Sequence, residues 1–217
     1  MNLSFWNNRT RRHIIKKFTD KVGLIYFGFV NQNSDNHKII RGFTASSSHK
    51  DNHYSVGSVN GYDVMLVDRS NKIYLSDGSK MVFNWLIMSF NLHTKKRVPH
   101  FFISSNNHDM KPYSALFSSF PNMLLVNFGS FENYSQEFTS RFSVYARPSR
   151  SVEVERLFPE KVTRVMSAHF WPLSIEQHNN ILYVYAVNQK IDMILMNTMI
   201  ETGLWMCSHL DLQEELI

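Results

Sequence analysis

Four residues in one polar stretch carry side chains of the kind that bind metals: His37, His49, Asp51 and His53, in a segment running from Asp35 to His53. Imidazole and carboxylate ligands suit zinc or a related divalent ion, and a metal held there would activate water for hydrolysis. The short spacings of known zinc sites are absent from the stretch, and the single cysteine, Cys207, lies far from it in sequence. Polar loops also use Asp and its neighbours to form turns. A metal-assisted hydrolase built on these four residues is therefore the second reading of the chain, behind a binding role that needs no reaction.

Other reaction chemistries find less to work with. Glycine is scarce, 8 in 217 residues, and neither G-x-G-x-x-G nor G-x-x-x-x-G-K-[ST] occurs, so no phosphate-cradling loop is expected. Gly57-Ser58-Val59-Asn60-Gly61 has its serine in the wrong position for a nucleophile elbow and sits in a hairpin pattern. Cys207 falls in an apolar run and reads as a small core residue, and His169, beside Phe170 and Trp171, reads as a core histidine. No cofactor is implied.

A second set of residues carries charge. Arg9, Arg11, Arg12, Lys16, Lys17 and Lys21, set against Asp20, account for the whole formal net charge of +5, which leaves the remainder of the chain neutral. A neutral body offers no electrostatic track for a nucleic-acid backbone, so nucleic acid ranks below an anionic membrane surface as a partner. Ile14, Ile15, Phe18 and Val22 fall on one stripe of a helix, and the cations occupy much of its remaining surface. Phe5 and Trp6 precede it, which completes the composition of an interfacial membrane helix. The competing expectation is that the stripe packs on the domain and the cations form a solvated face.

The elements that must hold these residues read as α+β. Residues 1–22 form a basic amphipathic helix, and 23–217 a single α+β domain with a largely antiparallel sheet. Tyr54–Val59 and Tyr62–Val67 flank Asn60-Gly61, and Leu173–Gln177 and Ile181–Val187 flank Asn179-Asn180, two hairpins with type I′ turns. Strands are expected at Leu24–Val30, Met81–Leu92, Val98–Ile103, Met123–Phe128 and Phe142–Ala146, with a helical piece near Pro112–Phe120. Two short helices follow, one capped by Ser149 or Ser151 and one opened by Pro159. Between Asp192 and Cys207 apolar residues run nearly all round the helical wheel, as in a buried C-terminal helix or a homodimer interface. No run of about 20 apolar residues is present to span a bilayer, and no signal peptide is evident.

The segments Phe131-Glu132-Asn133-Tyr134, Phe142-Ser143-Val144-Tyr145-Ala146, Val152-Glu153, Leu157-Phe158-Pro159 and Ile181-Leu182-Tyr183-Val184-Tyr185 resemble a bacterial family of uncharacterised domains. The resemblance extends over roughly Phe83 to Val187. It implies a strand with a Val-Tyr pair, then a helix with a Leu-x-Pro-like element, then a strand hairpin. Many members of that family are membrane-anchored through hydrophobic N-terminal helices, for which the basic helix here would be a weaker substitute. The family brings no activity and no catalytic residues.

The combined expectation is a non-catalytic binding or scaffold domain in the bacterial cytoplasm, at the inner membrane surface, with an anionic surface or an unidentified protein as partner.

Overall fold

Asn60 and Gly61 take φ of 50° and 85°, and Asn179 and Asn180 take 55° and 57°. These left-handed pairs match the twist of the strands they join, which is why the two hairpins could be read from local sequence. The structure, a computed structural model, describes residues 3–29, 49–74, 80–106, 120–127 and 135–212. The expected helical piece near Pro112–Phe120 lies, apart from Phe120, outside the described residues.

The chain opens with helix α1 (Leu3–Val22) and strand β1 (Ile25–Gly28), then β2 (His49–Val59), β3 (Tyr62–Tyr74), β4 (Lys80–Asn91), β5 (Phe101–Ser105) and β6 (Leu124–Leu125). Helix α2 (Gln136–Arg141), strand β7 (Phe142–Ala146), a 3-10 turn at Pro148–Arg150, α3 (Ser151–Leu157) and α4 (Glu160–His169) follow. Strands β8 (Ser174–His178) and β9 (Ile181–Val187) precede the closing helix α5 (Met193–Leu212). The expected pair of short helices is thus joined by a third, α2, which Ser135 caps by accepting the Phe138 N–H.

The strands form one antiparallel sheet in the order β1-β2-β3-β4-β9-β8-β5-β7-β6. The fold is α+β. Alternation along β4 explains how the sheet serves two cores: Leu86, Met88 and Phe90 point one way, and Phe83, Trp85 and Ile87 the other. The first set joins Ile15 and Phe18 of α1, Val162 and Met166 of α4, and Met196, Met199, Met206 and Cys207 of α5 in the principal core. The second set meets Val67, Phe102, Tyr183, Tyr185 and Val187 in a smaller, more aromatic cluster.

Helix α5 packs tightest on the sheet at Gly203, where a Cβ would stand 2.0 Å from Phe90 Cζ. Ile194 and Leu212 remain exposed, so its apolar girdle is wider than the face laid on the sheet. Cys207 is fully buried, and burial raises its thiol pKa, in keeping with a packing role. His169 is exposed at the end of α4, so the expected core histidine is not one: the helix buries Val162, Thr163, Met166 and Ser167, a stripe that bypasses 169.

Candidate functional site

Helix α1 turns its apolar stripe inward and its charge outward. Ile15 and Phe18 are fully buried, and Arg9, Arg12, Lys16, Lys17 and Lys21 are exposed. The sixth cation behaves differently. Arg11 precedes Ile15 by four residues and Phe18 by seven, which places it on the buried stripe, where it pairs with Asp68 of β3 through Nε–Oδ2 at 2.9 Å and Nη2–Oδ1 at 2.5 Å. That spacing was the available signal that Arg11 is a structural cation. Lys21 reaches Asn197 of α5 at 3.3 Å, and burial raises the pKa of the Tyr26 phenol against the opposing charge of Arg12.

After α1 the chain turns at Gly23, φ 80°, into the edge strand β1. Alternation along β1 sends Tyr26 back toward α1 and leaves Ile25 and Phe27 exposed at 62% and 55%, and Phe29, past the end of the strand, is exposed at 62%. A basic helix face and exposed apolar side chains therefore lie at one edge of the sheet, with Ile25 and Phe27 on the face of β1 turned away from α1.

The proposed metal ligands lie on different terms from those expected. His37 falls outside the described residues. His49, Asp51 and His53 belong to strand β2, which starts earlier than the hydrophobic pattern suggests, and the expected loop does not extend through them. Asp51 is buried and bound by Arg69 of β3, through Nε–Oδ1 at 2.6 Å and Nη2–Oδ2 at 2.7 Å. His53, at a bulge with φ 56°, shares a 2.7 Å hydrogen bond with Tyr26 Oη through Nδ1. Burial lowers its pKa, which favours the neutral ring. Among the described residues no group of three His, Cys, Asp or Glu is placed to hold a metal ion.

A constellation that sequence reasoning missed lies on the aromatic side of the sheet. Glu176 of β8 is fully buried. Its Oε2 accepts the Tyr185 hydroxyl at 2.6 Å, and its Oε1 lies 2.9 Å from His100 Nε2. Burial, followed by the Glu176 charge, pushes the Tyr185 phenol well above its ordinary pKa, so Tyr185 stays a donor. His100 packs against His178 at 4.5 Å between ring centroids and against Phe120 at 4.7 Å. The carboxylate fixes the orientation of His100, much as a carboxylate orients a ligating or catalytic imidazole. Glu176 and Tyr185 lie on the two arms of the second hairpin, and the pairing of β5 with β8 brings in His100, which is distant from both in sequence.

No helix among the described residues is long and apolar enough to cross a membrane. No protein-family model and no curated protein matches the sequence. One solved structure does: the crystal structure of the mycobacterial trehalose monomycolate transport factor A, TtfA, matches over 93% of this chain and 95% of that one, with a TM-score of 0.63 and 9% sequence identity. At that identity the likeness establishes a shared fold.

Proposed function

We propose that this chain is a non-catalytic binding or scaffold domain, associated with transport, that attaches reversibly to an anionic membrane surface through α1 and the adjoining edge strand. The observation that carries the reading is the division of α1: Ile15 and Phe18 are fully buried, while Arg9, Arg12, Lys16, Lys17 and Lys21 remain exposed. Packing fixes the cations on one rigid face, so little ordering entropy opposes their meeting a charged surface. Each contributes up to about 1 kcal/mol near anionic lipid, a value that salt screens. Ile25, Phe27 and Phe29 add apolar area at the same edge. The sum favours attachment that comes and goes with ionic strength.

The transport association draws on the fold shared with TtfA, a protein named as a transport factor. A metal-assisted hydrolase gains no support, because Asp51 is engaged by Arg69 and His53 by Tyr26. The test is co-sedimentation of the full chain with phosphatidylcholine vesicles and with vesicles containing phosphatidylglycerol, at low and moderate salt. Binding confined to the anionic vesicles and weakened by salt supports the reading. Equal behaviour toward both vesicle types contradicts it.

A further inference from the structure

Beyond the α1 edge, five to seven strand positions along the sheet, a second cationic feature has no place in the membrane reading. Strand β5 lies between β8 and β7 and runs antiparallel to both. Phe101 at its start pairs with Gln177 on one side and with Ala146 on the other. The next positions outward, His100, His178 and Arg147, therefore lie abreast at one end of the sheet. The loop before His100 adds Arg97, and the 3-10 turn after β7 adds Ser149 and Arg150. Together they line an open cleft of about 190 Å³.

We propose that this cleft binds a phosphate monoester, either free or as a lipid headgroup. Its cations are all arginines, whose planar fork fits phosphate oxygens two at a time. No acidic residue lines it. Among the described residues, Arg97 and Arg147 have no carboxylate partner, and the Arg150–Glu153 pair is an exposed i,i+3 contact of the kind that contributes little and yields to a competing anion. Three arginines lining one small cleft suit a group that carries close to two negative charges. Val98 and Pro99 complete the wall, enough for a short carbon skeleton. The volume lies below the ~300–1,000 Å³ of sites that enclose drug-sized ligands, so a larger substituent or lipid tail would remain outside.

The wall is also fixed in place. Glu176 holds His100 by its Nε2, and the β8–β9 turn is tied to the preceding loop by Asn180 Nδ2 donating to the carbonyls of Thr94 and Lys96 at 3.2 and 3.4 Å. Burial, with His100 next and Arg97 and Arg147 after the opposing Glu176, lowers the pKa of His178, consistent with a positive field in the cleft.

The experiment is calorimetric titration of the full chain with inorganic phosphate and with sn-glycerol 3-phosphate, set beside sedimentation with phosphatidic acid vesicles. The variants are R97Q/R147Q, in which both altered residues are exposed, and R12Q/K16Q/K17Q, which neutralises part of α1. Saturable binding of glycerol 3-phosphate that inorganic phosphate competes away, weakened about tenfold or more in R97Q/R147Q and unchanged in R12Q/K16Q/K17Q, is the expected result. If the wild type and R12Q/K16Q/K17Q both prefer phosphatidic acid vesicles to phosphatidylglycerol vesicles of the same anionic content and R97Q/R147Q loses that preference, the phosphate is that of a lipid; soluble binding alone assigns it to a free monoester. Absence of saturable binding to all three probes, or binding that survives R97Q/R147Q undiminished, overturns the proposal. Because the α1 variant is scored separately, failure here leaves the membrane reading standing, and the converse also holds.

Discussion

Arg11 grips Asp68 with both ends of its guanidinium fork, Nε to Oδ2 at 2.9 Å and Nη2 to Oδ1 at 2.5 Å, and so ties α1 to β3. The two side chains are 17% and 8% exposed, which sets the pair apart from the solvated cations on the other side of the helix.

Replacing Arg11 by Gln should therefore destabilise the fold by about 1–3 kcal/mol, since it leaves the Asp68 carboxylate without its charged donor in a largely dehydrated place. Lys16→Gln or Lys17→Gln should shift stability by no more than about 0.5 kcal/mol, as exposed substitutions do. Urea unfolding midpoints of the three variants provide the comparison. Equal effects would mean that Arg11 is as solvated as its neighbours.

Gly203→Ala should be costly even though alanine is the better helix former. The added methyl would meet the ring of Phe90, itself fully buried, at 2.0 Å from Cζ. Overpacking of this kind costs typically 1–3 kcal/mol, more than the ~1 kcal/mol that helix propensity returns. A Phe90→Leu change in the same chain should recover part of the loss, measured as a thermal midpoint.

Tyr185→Phe removes the hydroxyl that donates to buried Glu176 at 2.6 Å. Loss of a hydrogen bond to a charged acceptor should cost about 1.5–3 kcal/mol in unfolding free energy. Unfolding of the Phe variant at an unchanged urea concentration would contradict the arrangement.

Acid should weaken the fold through its histidines. Burial pushes His53, His178 and His209 below the ordinary value of 6.5. As pH falls past about 6.5 the unfolded chain takes up these protons first, so stability is full above that value and declines on further acidification. His209 Nε2 lies 2.7 Å from the Leu157 carbonyl, a bond that a glutamine amide can also donate. His209→Gln should therefore retain stability at pH 7.5 and lose less than the wild type between pH 7 and pH 5. A steeper decline in the variant would contradict the sign.

Local chemistry made part of this fold legible. Asn60-Gly61 and Asn179-Asn180 announced their turns, and the Ile15–Phe18 stripe announced which side of α1 is buried. The pairing of Asp51 with Arg69 was hidden by a bulge: the register of the first hairpin, continued unbroken, sets Asp51 opposite Ser70, but a shift between Asn52 and Ser55 moves it opposite Arg69. Periodicity alone also suggested that β2 begins at Tyr54, because His49–His53 is polar; the Asp51–Arg69 ion pair permits a polar residue on a buried strand. Glu176 and Tyr185 meet within the second hairpin, but His100 joins them only because β5 pairs with β8, a sheet order that no local pattern encodes.

Membrane attachment rests on the exposed cations of α1, and they must be altered without removing the helix, because its Ile15 and Phe18 belong to the principal core. The most direct measurement is the partition coefficient of R9Q/R12Q/K16Q/K17Q, beside that of the wild type, on vesicles with and without phosphatidylglycerol over a series of salt concentrations. The variant should keep an unchanged thermal midpoint and show little preference for the anionic vesicles and a flattened salt dependence. A folded variant that partitions as strongly as the wild type would contradict this role of the cations.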